Sequence, residues 1–84
     1  MYTAKQVSRY IINKRSVDRR PIGNLTLQNL LYLVWIEYHK RENTRLFDDR
    51  IYAWQFGPVV PEVYYDYCAY GGMDIDRRYE RDEI

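Results

Sequence analysis

Disulfides, clustered metal ligands and a charge of one sign are all missing from this sequence. The 84 residues hold one cysteine, Cys68, and one histidine, His39. That excludes an internal disulfide framework and a cysteine-rich zinc site, and it is the usage of a reducing compartment. A catalytic zinc wants three protein ligands, and no second histidine exists to join His39. Lys plus Arg is 13 and Asp plus Glu is 12, a net charge of +1. A polyanion binder needs a basic excess, so a nucleic-acid partner is disfavoured. The longest apolar run, Leu30 to Ile36, is seven residues, far below the roughly 20 of a membrane span. No apolar h-region follows Met1, so no signal peptide is expected and the reading is of a soluble, cytoplasmic protein.

What is present is aromatic. Ten tyrosines, two tryptophans and two phenylalanines stand in one short chain. A single small core cannot hide them all, and exposed tyrosine favours contact with other proteins. Charge is also divided. Residues 1–42 carry eight basic against three acidic residues, and residues 43–84 carry five against nine. The two halves are expected to pack together and pair part of that charge. The rival reading is a nucleic-acid-binding module built on Lys14, Arg15, Arg19 and Arg20 with nearby tyrosines.

The pattern predicts a mainly α domain, a small three-helix core around a central helix. Thr3 and Gln6 have capping-box spacing. Ala4, Val7, Tyr10 and Ile11 then recur as one helical stripe over about 4–16. Pro21 and Gly23 stop it. Asn24 or Thr26 caps the central helix, about 25–41, in which Leu30, Leu31, Val34 and Trp35 are expected to be buried. Glu42 to Arg50 reads as a loop pinned by Leu46 and Phe47. Residues 51–56 alternate as a short extended segment leading into helix 3, about 61–70, with Pro61 at its first position. Val60, just before it, has no side-chain oxygen for the exposed N–H groups, so water, another part of the chain or a partner must satisfy them. Gly71 and Gly72 end that helix, and the tail from Asp74 to Ile84 shows no period.

Two strings are specific. Asn24-Leu25-Thr26-Leu27-Gln28-Asn29-Leu30-Leu31-Tyr32 is one. The other runs from Leu46-Phe47 through Ile51-Tyr52-Ala53-Trp54-Gln55-Phe56 to Gly57-Pro58-Val59-Val60-Pro61-Glu62-Val63-Tyr64. Together they resemble the Panacea family, also called SocA-like or phage-associated GepA-like, over about residues 3–71. Val7 to Ile12 is similar to the family as well. The resemblance implies an antitoxin domain that neutralises a partner toxin by direct protein contact. Members of the family are often encoded beside that toxin and are not known as enzymes. It also implies a longer sequence, with a Thr-His and tryptophan region that this chain lacks. Residues 1–84 therefore read as one Panacea-like domain without the family's usual C-terminal segment. An apolar helix face left uncovered by that lack predicts self-association, most simply a two-fold homodimer.

No catalytic residues, metal ligands or cofactors are assigned. Asp48, Asp49 and Glu62 have no spacing that makes an acid–base pair. Gly57-Pro58 is no phosphate loop, because proline removes a donor such a loop requires. Cys68 falls on the Val60, Val63, Tyr64 and Tyr67 stripe and reads as a buried structural thiol. Trp54 and Phe56 carry two readings, a core pair under the central helix or anchors for a partner. Tyr65 lies off the stripe and is expected at the surface. The candidate partner-binding residues are Trp54, Phe56, Gly57, Pro58, Glu62 and Tyr65.

Overall fold

The computed structural model describes residues 1–80. The first helix, α1, spans Ala4–Val17, and its capping box forms as the spacing predicts. The Thr3 hydroxyl accepts from the Gln6 N–H at 3.1 Å, and the Gln6 side chain accepts from the Thr3 N–H at 2.9 Å. Asp49 adds a carboxylate oxygen 2.9 Å from the Ala4 N–H, so a residue 45 positions away helps start the helix. Ala4, Val7, Ser8 and Ile12 face the core. Tyr10, expected on that stripe, is exposed. Arg19 at φ 58° turns the chain out of the helix.

The second helix, α2, spans Asn24–Glu42 and starts from Gly23, with neither Asn24 nor Thr26 as its cap. Asn24 is the first helical residue, and its amide is committed elsewhere: it donates across the fold to the Tyr64 carbonyl at 3.0 Å. Asn43, left-handed at φ 53°, closes the far end. Leu27, Gln28 and Leu31 are fully buried. Of the four residues expected inside, Leu31 is buried, Leu30 and Trp35 pack half-buried against the core, and Val34 lies at the surface. The reason is supply. The helix is apolar on most sides, but the rest of this small chain covers only one of them. Trp35 stays useful at the margin, donating its indole N–H to the Phe47 carbonyl at 3.1 Å.

Leu46 and Phe47 pin the following loop as expected, both buried against the core. The segment predicted as one extended stretch is an antiparallel hairpin. Strand β1, Tyr52–Trp54, pairs with β2, Gly57–Val59, in the register Tyr52 to Val59, Ala53 to Pro58 and Trp54 to Gly57. Gln55 and Phe56 form the turn, and neither has positive φ. The twist that strand pairing needs falls on Gly57 at φ 121°, a conformation open to glycine. A Cβ there would also meet Asn29 Oδ1 of α2 at 3.4 Å.

Helix 3 is shorter than expected as an α-helix. Helix α3 is Pro61–Tyr64, with Pro61 at its first position, and the chain then tightens into a 3-10 helix over Tyr65–Tyr70. Three residues per turn instead of 3.6 rotate the later side chains. Val63 and Tyr67 stay inside, whereas Cys68 is exposed, its thiol donating to the Tyr64 carbonyl at 3.3 Å. The expectation of a buried thiol rested on continuing the α period and is corrected on that ground. Gly71, at φ 58°, ends the turn. The tail then lies across the fold. Ile75 is buried and its N–H donates to the Ile22 carbonyl at 2.8 Å. Tyr79 is held at both backbone groups by the Asn13 amide, at 2.7 and 3.0 Å. Residues 81–84 of the predicted tail lie outside the described residues.

Candidate partner-binding surface

A buried polar relay fixes the hairpin and α3 onto α2. Gln28 Nε2 donates to Asn24 Oδ1 at 3.1 Å, while Gln28 Oε1 accepts the Val60 N–H at 2.9 Å. Asn24 in turn donates to the Tyr64 carbonyl. Two side chains one helical turn apart thereby hold two backbone groups on the far side of the hairpin. Gln28 thus takes the N–H of the cap residue itself, while of the helix-start N–H groups that Val60 has no side-chain oxygen to cap, that of Val63 turns back to the Val60 carbonyl at 3.0 Å. From sequence Gln28 was assigned no role and Asn24 only that of a helix cap, which Gly23 takes instead. The available signals were the amide in an otherwise apolar stripe and the Val60 cap position with no oxygen of its own.

On that fixed frame the aromatic rings gather. Trp54 meets Tyr64 edge-on at 5.2 Å and Tyr65 at 6.3 Å, and Tyr64 meets Tyr65 at 5.7 Å. Edge-to-face geometry at these distances is attractive beyond the area it buries. The cluster is nonetheless open to solvent: Trp54 is 39% exposed, Tyr65 67% and Phe56, at the turn, 72%. The reading of Trp54 and Phe56 as a core pair is therefore overturned. Alternation put them on one side of a strand, but Phe56 falls in the turn and all three residues of β1 are exposed, because it is β2, not β1, that packs on α2.

Two grooves flank the cluster. One, of about 580 Å3, runs between α2 and β1, with Tyr32, Trp35, Phe47, Ile51, Tyr52, Trp54 and Pro58 as apolar lining and Arg45, Asp48, Asp49 and Arg50 at its rim. The other, of about 460 Å3, lies under Phe56, Tyr64 and Cys68. The six sequence-selected residues divide accordingly. Trp54, Gly57 and Pro58 line the first groove, Phe56 lines the second, and Tyr65 packs on Trp54. Glu62 is exposed in the first turn of α3. Sequence reasoning missed Tyr52, exposed on the same strand, and Tyr32 and Leu33 on the open side of α2.

The remaining polar residues do local work. Asp48 pairs with Arg45 at 2.7 Å and Asp49 caps α1. His39 stacks on Trp35 with ring centres 6.0 Å apart, at the solvent edge. Lys14, Arg19 and Arg20 are exposed, and Arg15 donates to the Arg20 carbonyl at 3.0 Å. Among the described residues no three His, Cys, Asp or Glu side chains are placed to hold a metal ion, and no helix is long and apolar enough to cross a membrane.

Residues 27–84 match the family model described as Antitoxin SocA-like, Panacea domain. The chain is also similar to Antitoxin SocA of Caulobacter vibrioides (strain NA1000 / CB15N), 33% identical over 81 residues, which is 96% of this chain. It spans 43% of that relative's length. No solved structure matches the chain.

Proposed function

The chain belongs to the SocA-like Panacea antitoxin family, and from that premise we propose that it binds a protein toxin directly through the hairpin and the start of α3, holding the toxin inactive by occlusion. The observation that carries the reading is the ring cluster of Trp54, Tyr64 and Tyr65, with Trp54, Tyr65 and the turn residue Phe56 exposed, beside a backbone already fixed by Gln28 and Asn24. Interfaces concentrate their energy in a few aromatic or arginine anchors. A rigid strand and turn present such anchors at little cost in ordering entropy. In this reading Trp54 and Tyr65 are the central contacts, Phe56 reaches the partner from the turn, Gly57 and Pro58 shape the backbone beneath them, and Glu62 supplies a polar rim. The contact is a cytoplasmic one, and no catalytic step is assigned to the chain.

The test uses the product of the adjacent reading frame as the toxin. Tyr65→Ala or Trp54→Ala is expected to weaken binding by roughly 2 kcal/mol or more, with the circular dichroism of the free domain retained. Arg19→Ala combined with Arg20→Ala is expected to leave binding nearly intact. Loss of protection in the arginine pair, with none in Tyr65→Ala, would move the contact to the basic cluster. Self-association is a separate proposal, carried by exposed Leu33 and Val34 on α2. A monomeric mass by light scattering at about 100 µM, well above a micromolar dissociation constant, counts against it.

A further inference from the structure

The two edges of the hairpin are not equivalent. In an antiparallel pair, alternate residue pairs exchange both backbone hydrogen bonds. The pair Ala53 to Pro58 cannot be such a pair, because Pro58 has no N–H. Tyr52 to Val59 and Trp54 to Gly57 are therefore the bonded pairs, and the N–H and C=O of Ala53 both point away from β2. Ala53 is exposed, and among the described residues no hydrogen bond reaches those two groups. They open onto the groove of about 580 Å3, which Ala53 itself lines. The opposite edge offers no matching pair, since Pro58 occupies its outward position and β2 packs on α2. An unpaired N–H and C=O on an exposed strand edge are a template for another strand.

We propose that the toxin presents an extended segment that adds to the free edge of β1 as a third strand, hydrogen-bonded to Ala53. Apolar side chains of that segment enter the groove over Tyr32, Trp35 and Trp54. One acidic side chain stands opposite Arg50. The charge assignment follows from the rim. Arg45 is paired with Asp48 and Asp49 is engaged at the start of α1, whereas Arg50 is exposed with no ion pair among the described residues. Main-chain bonds supply affinity in this mode, and the groove and Arg50 supply selectivity. The inference rests on the protein-binding reading above and names how that surface is used.

The experiment is hydrogen exchange of the Ala53 amide in the free chain and in its complex with the product of the adjacent reading frame. Strand addition slows that amide in the complex by about tenfold or more, the factor that one to two net hydrogen bonds represent. Ala53→Pro removes only the outward N–H, so β1–β2 pairing survives and binding falls by about tenfold. Arg50→Glu weakens binding further at low salt than at high salt. An Ala53 amide that exchanges equally fast in an intact complex overturns strand addition and leaves protein binding standing. That readout uses the unaltered chain and holds even if Ala53→Pro disturbs the fold. Protection of Ala53 in the chain alone, rising with its concentration, assigns the edge to a second copy and overturns the toxin as occupant. A reading-frame product that does not bind at all removes the proposed function, and this inference with it.

Discussion

Helix α2 has two apolar sides with opposite fates. Toward α1 and α3, Leu27 and Leu31 are fully buried beside Phe47 and Val63. Away from them, Tyr32, Leu33 and Val34 stand in solvent, continuing toward the exposed Tyr52 and Trp54 of the hairpin. Composition does not distinguish the two sides. The polar residues do: Gln28 and Asn24 sit inside, each paired, while the outer side carries exposed rings instead. A buried amide is kept where backbone groups must be satisfied at a fixed place. An exposed apolar run is kept where something else is to be met. In this domain the first arrangement holds the second in position.

The sharpest way to break the comparison is to truncate one leucine on each side. Leu31→Ala is expected to cost about 2–5 kcal/mol, through lost burial and the cavity left behind. Leu33→Ala, at 58% exposure, is expected to change stability by no more than about 0.5 kcal/mol. Urea unfolding of both variants checks this, and equal losses would mean that the outer side is covered in the free chain. Gln28→Leu comes next. It keeps the volume and the apolar match but leaves the buried Val60 N–H without an acceptor, at about 1–3 kcal/mol. Its second readout is fluorescence: loosening the Val60 to Tyr64 backbone is expected to shift the emission of Trp54, while the Leu31→Ala core variant leaves the position of the hairpin relative to α3 unchanged.

Much of this fold was legible from local signals. The capping box at Thr3 and the proline starting α3 act within a few positions of themselves, and Leu46 and Phe47 stand out as the apolar pair of a polar stretch, so the sequence displays them. The misses share another cause. Val34, Tyr10, Trp54 and Phe56 are apolar residues whose burial depends on how much chain is left to cover them, and periodicity carries no such information. Cys68 was misplaced because six residues adopt 3-10 rather than α geometry, a change of period without a residue that announces it. The tail showed no stripe because it is held by single contacts, Ile75 and Tyr79, rather than by a face. Of the candidate surface, the exposure of Tyr65 was legible from its place off the helix stripe, and that of Trp54 and Phe56 was not. The relay beneath them required two segments, 24–28 and 60–64, to be seen side by side.

The smallest expected effect separates two tyrosines of one short helix. Tyr65 is exposed, and Tyr67 is buried with its hydroxyl 2.7 Å from that of Tyr79. Burial, and then the Tyr79 hydroxyl, push the Tyr67 phenol well above the usual value of 10.0. The consequence for stability has a definite sign. Above pH 10 the unfolded chain releases this proton while the folded chain retains it, so the unfolded state holds fewer protons and gains ground. The contribution is whole below that pH and declines as pH rises. Alkaline unfolding is therefore expected to be favoured above pH 10, as the unfolded chain loses the Tyr67 proton that the folded chain keeps. Tyr67→Phe removes this source of alkaline sensitivity. Tyr79→Phe takes away one neutral hydrogen bond, worth about 0.5–1.5 kcal/mol. It should loosen the tail at neutral pH without touching the ring cluster, because the Asn13 amide still holds the Tyr79 backbone. Absorbance at the phenolate band across an alkaline titration, beside thermal melts at each pH, measures both. If Tyr67 ionises at the usual phenol value of 10.0, the tail does not seal that side of the helix in solution, and the buried and exposed faces differ less than their geometry indicates.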